Sequence, residues 1–117
     1  MRRRRVLTGA FLLACVVLGA CGSRNRRAEE ASLRTNLRTM REVIVQYHGD
    51  KGRYPSTLEV LVEEGLLRRV PSDPMTGSDS TWIVVRDAAA PGEEGGIVDV
   101  RSGAPGPALD GTSYRDW

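Results

Sequence analysis

The sequence predicts an α+β domain in which a long N-terminal helix packs on a small antiparallel β-sheet, with a short second helix and an ordered C-terminal loop. Three observations carry this reading. Leu33, Leu37, Met40, Ile44 and Tyr47 recur at spacings of four, three, four and three, the repeat of a single helix face. Trp82-Ile83-Val84-Val85 and Ile97-Val98-Asp99-Val100 are short runs rich in β-branched residues, as strands are. Between them, Ala88 to Gly96 holds Pro91, Gly92, Gly95 and Gly96, a hairpin-type connection that implies antiparallel pairing.

The elements follow in order. The helical pattern begins at Ala28, and Val43 widens its apolar stripe by one position. Arg34, Arg38, Arg41 and Glu42 fall on the remaining circumference, a solvated face and the candidate surface for a protein partner. His48 stands near the helix end, where an imidazole suits the dipole, and Gly49 is the expected stop. Pro55 restricts Tyr54 to an extended conformation. Ser56 and Glu59 have the spacing of a capping box, so a short helix is expected to about Glu64, with Gly65 ending it. Leu58, Leu61 and Val62 form its predicted buried face, and Leu66 and Leu67 continue into the core.

Val70 to Gly77 contains two prolines and a glycine and is read as a loop, in which Asp73 can form an Asx-turn. Tyr54 and Trp82 are expected at the core or its rim, and Trp117 as an aromatic latch packing back on the domain. From Ser102 onward there is no periodicity, only glycine, proline and polar residues.

The N-terminal part reads as a targeting segment. Arg2 to Arg5 precede an apolar run of 15 residues, Val6 to Ala20. A helix needs about 20 apolar residues to span a bilayer, so this run has the length of a secretory h-region. It ends in Leu18-Gly19-Ala20-Cys21, which resembles the bacterial lipobox, small residues before a cysteine. That resemblance implies cleavage before Cys21 and acylation of its thiol, a membrane anchor of several acyl chains. Cys15, mid-run, is read as an ordinary signal residue. The expected organisation is a signal peptide over 1–20, a tether over 21–27 and a domain over 28–117. Gly22 rather than aspartate follows the cysteine, which favours the outer membrane over the inner.

Composition narrows the function. The chain holds 17 basic residues; without the four of the arginine run the remainder, set against 15 acids, carries a net charge of about −2. The basic balance belongs to the leader and not to the domain, which argues against nucleic acid as a partner. One histidine and two N-terminal cysteines build neither a zinc site nor a disulfide framework. Glu63-Glu64 and Glu93-Glu94 have no nucleophile–base pair beside them, so no enzyme and no small-molecule substrate are expected.

Taken together, the long helix, Asp50 to Leu67 (DKGRYPSTLEVLVEEGLL), Arg68 to Gly77 (RRVPSDPMTG), the tryptophan-led strand, Gly95 to Gly106 (GGIVDVRSGAPG) and the C-terminal LDGTSYRDW resemble the pseudopilins of bacterial type II secretion systems. The resemblance is to the major pseudopilin and related type IV pilin-like proteins and covers roughly residues 30 to 117. It implies a pilin-like head and a structural role in a periplasmic filament, with other pseudopilins or secretion-apparatus proteins as partners. It also implies a calcium loop. Asp110, Ser113 and Asp116 are the oxygen donors available for Ca2+, against the plainer reading that Asp110-Gly111 makes a turn.

The chain departs from the family at its start. Pseudopilins carry a glutamate at the fifth mature position, and no acid precedes Glu29 here. The sequence therefore reads as a pseudopilin-like head on a lipid anchor, exported and facing the periplasm. A true filament subunit with a divergent prepilin signal is the first alternative, and a small binding module with a calcium-ordered loop the second. Charge reversal at Arg38 and Arg41 is expected to weaken assembly.

Overall fold

The structure, a computed structural model, describes the backbone of residues 3–117 and the side chains of residues 24–117. The side chains of the targeting segment, with Cys15 and the lipidation candidate Cys21, lie outside the described residues. Helix α1 spans Arg3–Lys51. Leu33, Leu37, Met40, Ile44 and Tyr47 are all buried, so the predicted stripe is the helix's core face. Val43 packs at its edge.

Two boundaries differ from the sequence reading. Residues 24–27, expected as tether, are helical. They contain no glycine or proline to interrupt the helix, and Arg26 is held by the C-terminal loop. At the other end the helix runs through Gly49 and stops at Gly52, whose N–H donates to the His48 carbonyl at 2.9 Å. Gly52 has φ +71°, the left-handed conformation that ends helices; a glycine alone does not stop a helix whose last turn is still hydrogen-bonded. His48 stacks on the Tyr54 ring, with centroids 4.1 Å apart, and this fastens the turn that follows.

Helix α2 spans Leu58–Glu63 and ends, as expected, at Gly65, where φ is +75°. Its cap is Thr57, which accepts from the Val60 N–H at 3.3 Å. Ser56, the predicted cap, instead presents its carbonyl to the Arg86 guanidinium at 2.9 Å, and the helix starts one residue later than the capping-box spacing predicts. Leu58 and Leu61 are buried, and Val60 rather than Val62 completes the packed face.

Strands β1 (Ile83–Arg86) and β2 (Ile97–Arg101) pair antiparallel, with Ile83 opposite Arg101 and Val84 opposite Val100. The register slips between Val85 and Arg86. Trp82 precedes the ladder, buried, and its indole N–H donates to the Pro71 carbonyl at 2.7 Å. A two-stranded sheet is marginal alone. Here Ile97 and Val100 of β2 join the α1 stripe, Leu61 and Tyr114 in one core. The 3-10 turn Tyr114–Asp116 closes the chain over it. The architecture is the α+β arrangement the sequence predicts.

Candidate functional site: a groove along the first helix

The exposed side of α1 and the segment Asp110–Trp117 enclose an open groove of about 1150 Å³. Arg34, Arg38, Arg41, Glu42 and Val45 form one wall, and Asp110, Thr112, Ser113, Asp116 and Trp117 the other. The proposed partner-contact residues and the proposed calcium residues, more than 60 positions apart in the chain, therefore face one space.

The four contact residues play different parts. The Arg34 guanidinium lies 3.8 Å from the centroid of the Trp117 ring and 3.8 Å from Asp110 Oδ2. Arg38 and Glu42 are exposed. Among the described residues no hydrogen bond or ion pair engages either. Arg41 is half-buried, and two of its three guanidinium nitrogens are committed within the fold. Its Nε donates to Asp99 Oδ1 at 2.8 Å, and its Nη2 to the Val100 carbonyl at 2.9 Å and the Trp117 main-chain oxygen at 2.5 Å. The sequence placed Arg41 on the polar circumference, where it is; only the fold shows that strand β2 and the C-terminal segment occupy it. Val45, 69% exposed, leaves an apolar side chain open in the groove.

Trp117 is the expected latch. Its ring meets Tyr114 edge-on at 5.1 Å, and its Nε1 donates to Thr112 Oγ1 at 2.8 Å. Asp110 makes the expected turn: its Oδ1 accepts from the Thr112 N–H at 2.9 Å and the Thr112 hydroxyl at 2.6 Å. These bonds, with the nearby Arg34, hold the Asp110 carboxyl below the usual carboxylate range. Ser113 pairs through its backbone with Pro107, and Asp116 is exposed in the final turn. Among the described residues no group of three or more His, Cys, Asp or Glu is placed to hold a metal. Thr112 occupies only Oδ1 of Asp110; its Oδ2 has the Arg34 guanidinium 3.8 Å away.

Two polar clusters escaped the sequence reading. Glu30 Oε1 accepts from the Tyr114 hydroxyl at 2.7 Å and the Leu109 N–H at 2.8 Å. Arg26 adds a bond to the Pro107 carbonyl at 2.8 Å and a longer one, 3.4 Å, to the Tyr114 oxygen. This clamp joins the C-terminal loop to α1 at Arg26 and Glu30. No spacing signal marks it, because its partners lie 79 to 88 residues apart. The second is Asp73, fully buried, whose Oδ2 accepts from Ser102 Oγ at 2.5 Å. Its other oxygen accepts from the Met75 N–H, the Asx-turn the sequence suggests.

Burial, with the bond to Glu30, pushes the Tyr114 phenol above its ordinary value of 10.0. A tyrosine whose folded-state value is raised contributes stability that is complete below pH 10 and lost as pH rises through the folded value. Alkaline titration is expected to show one of the three tyrosines ionising late, together with opening of the C-terminal loop. Tyrosinate absorbance and near-ultraviolet circular dichroism read both events, and Tyr114→Phe removes the late step.

The fold and groove together define an α+β head with a long helical stem. No family model, curated protein or solved structure matches the chain. Among the described residues no helix is long and apolar enough to cross a membrane.

Proposed function

We propose that this chain is an exported, pseudopilin-like lipoprotein without catalytic activity, a structural or accessory component of a type II secretion or type IV pilus-like system. It acts by protein–protein contact, with other pseudopilins or apparatus proteins, from the periplasmic face of a membrane, the outer membrane being favoured. The observation that carries this reading is the stem-and-head arrangement. A helix with one face wholly spent on an antiparallel strand pair keeps its other face, with Arg38, Glu42 and Val45, open along a groove. Arg41 also lines the groove, with its Nε and Nη2 bonded within the fold.

A second reading is favoured by one feature. The described helix runs through 24–27 without a break, as a filament subunit retaining its apolar segment requires. Chemical cross-linking in the native membrane, with mass analysis of the products, separates the two. The lipoprotein reading expects a mature chain beginning at acylated Cys21, joined to apparatus proteins by cross-links that Arg38→Glu weakens at unchanged Tm. A chain retaining residues 11–20 after cleavage near Gly9 or Ala10 restores the filament reading. Cross-links unchanged by Arg38→Glu remove the groove as the contact surface.

A further inference from the structure

The folded part of the chain reaches closer to residue 21 than the sequence suggests. Arg26 is bonded to the Pro107 carbonyl, and Glu30 to the Leu109 N–H, so the loop 105–109 is fastened against the start of the described stem. An α-helix rises about 1.5 Å per residue, which puts the Arg26 contact roughly 7.5 Å along the axis from position 21. A bilayer's headgroup layer is of similar depth, about 5–8 Å on each side. Acyl chains on Cys21, or a retained apolar segment ending at Ala20, both set residue 21 at a bilayer surface. Neither leaves enough chain for the head to stand clear of the lipid.

This end of the head has the chemistry of a lipid-facing edge. Arg24 and Arg27 are exposed, and among the described residues no hydrogen bond or ion pair engages either. Of the two acids that follow, Glu30 is spent on Leu109 and Tyr114 and Glu29 is exposed, so Arg24, Arg26 and Arg27 leave this end of the stem with a net positive charge. The adjoining stretch from Ser102 to Leu109 carries no charge. Pro105, Gly106 and Pro107 are exposed, and Leu109 is 48% exposed although it is a large apolar residue. Cations beside an uncharged, partly apolar tip are what peripheral proteins lay on anionic membranes, the cations on phosphates and the tip at the acyl boundary.

We infer that the head docks on the surface of an anionic phospholipid bilayer, with Arg24 and Arg27 on headgroup phosphates and the Pro105–Leu109 tip in the interfacial layer. The inference rests on the membrane anchorage proposed above but not on which anchor supplies it. Docking leans α1 toward the loop side and fixes the direction in which the groove faces.

The test uses the full chain, purified from membranes and reconstituted into vesicles of phosphatidylcholine alone or with added phosphatidylglycerol. Amide hydrogen exchange of residues 104–111 is expected to be roughly fivefold slower on the anionic vesicles, an effect that high salt removes. Arg24→Gln with Arg27→Gln abolishes the difference, and Leu109→Ser reduces it, while exchange in residues 33–47 stays constant and reports an intact fold. Equal exchange on both vesicles overturns the docking and leaves the anchorage standing. Failure of the protein to float with either vesicle overturns both.

Discussion

Asp73→Ala is expected to be the most damaging single polar substitution in the domain. The carboxylate is fully buried and ties two loops together: the Ser102 hydroxyl donates to one oxygen and the Met75 N–H to the other. Alanine leaves a hydroxyl and an amide without acceptors in the interior. Bonds to a charged acceptor are worth roughly 1.5–3 kcal/mol, and stranded donors add their desolvation, so the loss is about 3 kcal/mol. For a domain of this size that is a fall in Tm on the order of 15 °C. Asp73→Asn, which keeps an acceptor for Met75, is expected to cost less than half as much. Thermal denaturation of the two variants checks the ordering. Equal and small losses would mean that the loop between Pro71 and Ser78 is held by its backbone bonds alone.

Arg41→Ala is the second. One guanidinium joins Asp99, the Val100 carbonyl and the Trp117 main-chain oxygen, bridging α1, β2 and the C-terminal segment. Both members of the Arg41–Asp99 pair are more than a third exposed, so solvent screens the pair and its Coulombic part is small. The geometric part is larger, since no other side chain replaces three bonds. The expected cost is about 2 kcal/mol, with selective loss of protease resistance in residues 113–117. Arg41→Lys restores little of it, because a single ammonium cannot reproduce the fork. Arg38→Ala, three residues earlier on the same helix, is expected to leave stability unchanged. Were Arg41→Ala as harmless, Arg41 would count among the residues free for a partner.

These two residues show where the sequence was legible and where it was not. Arg38 and Arg41 sit alike in the helical pattern and in composition. One remains open and the other is bonded to β2 and to the Trp117 main-chain oxygen because these segments cross the helix at the later turn. Asp73 could be read as an Asx-turn because that bond spans two residues. Its bond to Ser102, 29 residues away, could not. At the capping box the Thr57 hydroxyl takes the cap, while the Ser56 carbonyl accepts from Arg86 of β1, a partner 30 residues away.

By itself the sequence determined the apolar stripe from Leu33 to Tyr47, the two strands and their antiparallel sense, the stop at Gly65 and the folding-back of Trp117. Periodicity and chain reversal are local properties, decided within a few residues by geometry and the removal of apolar area from water. Only the tertiary structure decided that the head begins at Arg26, that Arg41 is an internal clamp and that the groove's two walls face each other. Polar groups take the partner the chain's path brings within about 3 Å, and that path is set by the whole core, not by the residues on either side.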